Sequence, residues 1–165
     1  MKTEVTTTKE ESIFAIAQEI NEEQKVKEIL PLIAHIDWHA YNEISGGRSM
    51  ELIEFLSKNS NYIGVTDYPY LILATNGLDG AWSESFAAIV GGRFMVDRDE
   101  FINALAESED LDQRRRVISL IAYNLSYQDV KPIIQELQEL SGSAQVHASE
   151  KEVIHTLITE LENPY

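Results

Sequence analysis

The sequence predicts an all-α protein, an irregular array of about eight or nine short helices. Three observations lead there. Apolar residues recur at helical spacing in nearly every segment. Polar N-cap residues stand before many of those segments, often with Glu or Gln three places on. Glycine (8) and proline (4) are scarce in 165 residues, too few for a protein built of many hairpins.

Thr8 with Glu11 opens the first helix, whose apolar face carries Ile13, Phe14, Ile16 and Ile20. Asn21 with Gln24 opens the second, with Val26, Ile29, Leu30, Ile33 and Ile36 in phase. Pro31 lies inside that pattern and is expected to kink or divide it. Gly46-Gly47 breaks the chain. Arg48 or Ser49 then starts a short helix faced by Leu52, Ile53, Phe55 and Leu56. Residues 59–64 read as loop, and Tyr62 to Val65 is a candidate extended piece. Thr66-Asp67-Tyr68-Pro69 starts the next helix, because proline suits a first turn and Asp67 complements the helix dipole. Asn76-Gly77 ends it.

Trp82, Phe86, Ile89 and Val90 form a further stripe, which Gly91-Gly92 either interrupts or fits for a close crossing. Asp97 with Glu100 caps the helix of Phe101, Ile102 and Leu105. Asp110 or Asp112 begins a long helix with Leu111, Val117, Ile118, Leu120, Ile121 and Leu125. Val130 to Leu140 follows, with Pro132 near its start. Residues 141–147 read as loop. Ser149 with Glu152 is expected to cap the last helix, faced by Val153, Ile154, Leu157, Ile158 and Leu161. The organisation expected is a disordered lead-in over 1–8 and a single α-helical domain over 9–165.

Composition narrows the function classes. The chain has 28 acidic against 13 basic residues, a formal net charge of −15. Such a surface repels phosphate backbones and anionic membranes, so no nucleic-acid partner is expected. It suits a basic protein or peptide partner, although solvated glutamates on helix faces account for much of the charge. The absence of cysteine excludes disulfides, a thiol nucleophile and thiolate metal sites. No apolar run approaches the roughly 18 residues of a membrane span. Met1 to Glu10 lacks the apolar core of a signal peptide. A cytoplasmic protein is expected, the alternative being an exported one whose signal has been removed.

The segment Phe101 to Leu125 ends one helix in Ala104-Leu105-Ala106 and turns through Ser108-Glu109-Asp110-Leu111-Asp112. It opens the next with Arg114-Arg115-Arg116, then Val117, Leu120, Ile121 and Ala122. It resembles one repeat of the HEAT-like helical-repeat proteins. Leu30-Pro31-Leu32, within Val26 to Ile36, is similar to a first helix of that type, and Lys131-Pro132-Ile133-Ile134 is a weaker echo. The resemblance implies HEAT-like helical hairpins and a groove that binds another protein. The family's regular period is missing, and Gly46 to Gly92 departs from its pattern.

Candidate chemistry is sparse. His35, His39 and Glu43 are spaced i, i+4, i+8, so one helical face would offer two imidazoles and a carboxylate to a metal such as Zn²⁺. The plainer account is polar side chains on an exposed helix, and no cofactor is expected. The loop from Asn76 to Glu84 gathers Asp79, Trp82 and Glu84 near Tyr68 and Tyr70. These five are the candidate binding residues, since clustered aromatics and carboxylates suit recognition. The competing account makes Gly77 and Asp79 helix caps and the aromatics core. Arg114 to Arg116, the one basic run, is expected to pair with Glu107, Glu109, Asp110 and Asp112. No nucleophile elbow or phosphate-binding loop is present.

The expected function is therefore a non-enzymatic protein-interaction module that binds a protein or peptide in a helical groove. An acidic inhibitor or immunity-type protein against a basic enzyme is one alternative. A metal-binding protein or metal-dependent enzyme at His35/His39 is another.

Overall fold

Helix ends follow the chemistry of their first residues. The computed structural model describes residues 5–163. They form α1 (Lys9–Ala17), α2 (Glu22–Ile33), α3 (Trp38–Ile44), α4 (Ser49–Lys58) and α5 (Tyr68–Leu73). Next come α6 (Gly80–Val96), α7 (Arg98–Glu107), α8 (Leu111–Leu125), α9 (Lys131–Ser141) and α10 (Ala148–Glu162). The class is all-α, with ten α-helices among the described residues where about eight or nine helices were expected. Residues 5–8 are exposed and non-helical. Residues 1–4 of the expected lead-in, and 164–165 of the expected domain, lie outside the described residues.

Thr8 and Glu11 close a reciprocal capping box on α1. The Asn21 side chain accepts from the Gln24 amide, 2.9 Å away. Other caps differ from expectation. Asp97 precedes α7 but makes no side-chain cap bond, because its carboxylate accepts from the Tyr68 hydroxyl instead. The last helix starts at Ala148, before Ser149, and Glu150 rather than Glu152 reaches back to the His147 amide at 3.4 Å. The candidate extended piece at Tyr62 to Val65 is bracketed by two single-turn 3-10 helices, Ser60–Tyr62 and Val65–Asp67.

Helix α6 is the axis of the molecule. Phe86, Ala87, Ile89, Val90, Gly91 and Phe94 are all buried, an arc too wide for one neighbour. It packs on α4, α7 and α8. Burying each large side chain contributes about 1.5–3 kcal/mol. Gly91 settles the two readings of the glycine pair in favour of a close crossing. A Cβ there would lie 2.3 Å from Asn124 Oδ1 and 2.8 Å from Asn124 Cβ, so α8 approaches too near for any side chain. Around this axis, α1 packs on α2 and α3, α2 on α5, and α10 on α7, α8 and α9. The buried side chains form one contiguous cluster from Ile13 to Leu161. Among the described residues no helix is long and apolar enough to cross a membrane.

The chain between α2 and α3 departs most from expectation. Helix α2 passes through Pro31 and stops at Ile33, so Ile36 is buried from a non-helical elbow. Pro31 has no amide to extend the helical ladder. His35 then takes φ +58°, the left-handed region that non-glycine residues rarely enter. Asp37 restarts the helix by accepting from the Ala40 amide at 2.9 Å.

Candidate functional site

The elbow is held from two sides. The His35 amide donates to Leu73 O at 3.0 Å, and the buried Trp38 indole donates to Ala74 O at 2.7 Å. Both carbonyls belong to the C-terminal end of α5, which would otherwise lack partners. From α1, the Lys9 ammonium donates to Ala34 O, and Glu10 accepts from the Asp37 amide at 3.0 Å. Such over-determination is what sustains a left-handed residue.

Beyond the elbow, α5 faces the α7–α8 turn across a groove of about 410 Å³. Pro69, Ile72, Leu73 and Ala104 make its walls apolar. Its rim carries Glu107, Glu109 and Asp110 from the turn, opposite His35 and Asn76. Helix α8 starts here because Asp110 accepts from the Asp112 and Gln113 amides, both at 3.0 Å.

The arginine run does not neutralise this rim. Arg114 turns back on the end of α7 and donates to Ala106 O at 3.0 Å and Ser108 O at 2.8 Å. Arg116 donates to the Asn76 side chain across the molecule. Neither guanidinium joins a carboxylate, contrary to the expected local pairing: carbonyls at the end of α7 take Arg114, and the Asn76 side-chain amide takes Arg116. Among the described residues Glu107, Glu109 and Asp110 have no ion-pair partner within 4.0 Å.

The groove also holds an unmatched donor. Gln113 lines it, is 2% exposed, and its Nε2 meets no acceptor. Three other buried side-chain nitrogens in the described residues share that state, the Nε atoms of Arg93, Arg98 and Arg114. Each of those guanidinium groups bonds through its terminal nitrogens. The Gln113 carboxamide makes no bond at all.

The residues singled out from sequence scatter. Tyr68 is fully buried, its ring 4.9 Å from that of Phe101 and its hydroxyl on Asp97, so it is core and not surface. Tyr70 is half-buried against the core. Asp79 precedes α6 but makes no side-chain cap bond. It lies 3.8 Å from His39 Nε2, and the His39 ring sits 5.2 Å from that of half-buried Trp82. A metal candidate and two binding candidates thus meet on one exposed patch. Glu84 lines a second recess of about 430 Å³ between α6 and α8, with Arg116, Ser119 and Leu120. The Arg116–Asn76 bond stands between the two hollows.

The metal face is not assembled. His35 sits in the elbow, while His39 and Glu43 ride α3, so the i, i+4, i+8 register does not run along one helix. Among the described residues no group of three or more His, Asp or Glu side chains is placed to hold a metal. Gln113, Glu107 and Glu109 were missed as site residues, since helical periodicity marks the core but not a cleft between distant segments.

A smaller cavity of about 220 Å³ lies among α1 to α4, lined by Phe14, Lys25, Tyr41, Arg48 and Phe55. Burial pushes the Tyr41 phenol up to about 12, with Glu51 adding to the rise and Arg48 opposing it.

Fold and groove together define a helical protein with an acid-rimmed apolar cleft. Comparison with protein-family models, curated proteins and solved structures finds no match in any of the three.

Proposed function

We propose that this chain is a non-enzymatic interaction module that takes a basic segment of a partner protein into the groove between α5 and the α7–α8 turn. The observation that carries the reading is the uncompensated rim. Glu107, Glu109 and Asp110 edge one side of an apolar hollow, while Arg114 and Arg116 are engaged elsewhere. An apolar floor supplies affinity and the carboxylates select for positive charge. The net charge of −15 adds a long-range field that speeds the encounter with a basic partner.

The test is fluorescence anisotropy with a set of short labelled peptides, basic, neutral and acidic, at low and high salt. Basic peptides bind preferentially, and their affinity falls as salt rises. Glu107→Gln with Glu109→Gln weakens them by about tenfold or more and flattens the salt dependence. Equal binding of neutral and basic peptides, or an unchanged affinity in the double variant, overturns the reading.

The same charge supports a second reading, an inhibitor that covers a basic enzyme. That reading requires a folded target, and isolated basic peptides then fail to bind while the enzyme does.

A further inference from the structure

On that reading of the groove, we propose that its occupant is recognised through one lysine or arginine together with a main-chain carbonyl beside it. The carbonyl accepts from Gln113 Nε2. The aliphatic stem lies along Ile72, Leu73 and Ala104. The cationic head ends between Glu107 and Glu109.

Three independent features meet in this assignment. The first is the Gln113 carboxamide, almost fully buried, lining the groove and bonded to nothing. Buried amides are nearly always paired, so an acceptor is the missing component. The second is the pairing of apolar wall and acidic rim within one hollow, which matches a side chain of methylenes ending in a charge. The third is size. About 410 Å³ admits a side chain and its flanking backbone, but no folded element.

These features also choose the source of the cation. A protonated polyamine carries donors alone and leaves Gln113 without an acceptor. A peptide offers the cation and the carbonyl in one residue. His35 fits the picture as the opposite rim, held in its left-handed conformation by α1 and α5. Backbone strain of this kind gathers at ligand clamps.

The test uses the full chain and four probes: a capped pentapeptide with central lysine between glycines, its arginine and norleucine counterparts, and spermidine. Binding is read by calorimetry and by amide shifts in α5 and the α7–α8 turn. The lysine and arginine peptides bind, norleucine loses about tenfold or more, and spermidine leaves the Gln113 side-chain amide signal unmoved. Gln113→Leu then weakens the lysine peptide by about tenfold with its salt dependence intact. The same variant keeps or raises the melting temperature of the free protein, because an unsatisfied donor has gone. A merely structural Gln113 gives the reverse pattern, with lower stability and unchanged affinity, and overturns the assignment. Lysine-peptide binding that is salt-sensitive but indifferent to Gln113→Leu overturns the assignment while leaving the basic-segment reading intact. Equal binding of lysine and norleucine peptides defeats both.

Discussion

At the scale of single residues, adjacent positions with the same side chain carry opposite expectations. Gly91 lies against Asn124, whereas a Cβ on Gly92 meets nothing within 4 Å. Gly91→Ala therefore forces α6 and α8 apart and destabilises the fold by about 1–3 kcal/mol. Gly92→Ala stabilises it by about 0.5–1 kcal/mol, since the helix interior gains a better former and the unfolded chain loses freedom. Urea midpoints of the two variants move in opposite directions. Tyrosine ionisation gives a second expectation. Burial raises Tyr41 to about 12, and burial followed by the Asp97 bond raises Tyr68. Unfolded tyrosines ionise near about 10. The native state therefore holds protons that the unfolded state has released, and this contribution to stability is complete below about pH 10 and lost as pH climbs towards about 12. Denaturation midpoints measured at about pH 9 and above about pH 11 show the drop, and Tyr41→Phe makes it shallower. Local capping by Thr8 and Asn21 was legible in the sequence because each bond spans three residues. The unmatched state of Gln113 was not, because it depends on the packing of α5, far away along the chain, against the α7–α8 turn.

At the scale of elements, the α2–α3 elbow explains why the metal reading lost its geometry. Helical phase extends on paper from Val26 to Ile36, and Pro31 marks where it weakens. Nothing in that pattern says that His35 turns left-handed two residues after the helix stops. The contacts that hold it come from α1 and α5, so periodicity had no access to them. The α7–α8 turn gives the complementary lesson. Its acidic and basic residues suggest local ion pairs, yet Arg114 is spent on two carbonyls at the end of α7. Arg114→Ala is expected to cost about 2 kcal/mol, with faster amide exchange at the end of α7 and the start of α8. Arg114→Lys recovers only part of this, since an ammonium lacks the fork that reaches both carbonyls. Intact amide protection in Arg114→Ala would argue that the turn is held by Asp110 alone.

At the scale of the whole molecule, the helical class was legible because it rests on period and punctuation repeated along 165 residues. The groove was not legible, because its walls come from the elbow, α5 and the α7–α8 turn, which are separated in sequence and brought together by tertiary contacts. The repeat-like turn at Ser108 to Asp112 does sit at that groove, although α7 and α8 owe much of their placement to α10, which lies against both. Charge works at this scale too. The rim carboxylates act at contact range, while the −15 of the whole chain acts over about a Debye length, roughly 10 Å in moderate salt. The anisotropy experiment separates the two. Neutralising Glu107 and Glu109 changes selectivity, whereas residual salt dependence in that variant measures the long-range field.

The clamp on α5 has an optical meaning as well. Trp38 is 1% exposed, with its indole N–H donating to Ala74 O at the end of the helix that walls the groove. Trp82 is half-buried in the first turn of α6, its ring beside His39. The chain therefore carries two native emitters in unlike surroundings: a shielded one that a soluble quencher cannot reach, tied mechanically to α5, and an accessible one over the α6 side. Replacing either by phenylalanine leaves a single-colour molecule in which movement at the end of α5 or at the start of α6 can be watched without any attached label.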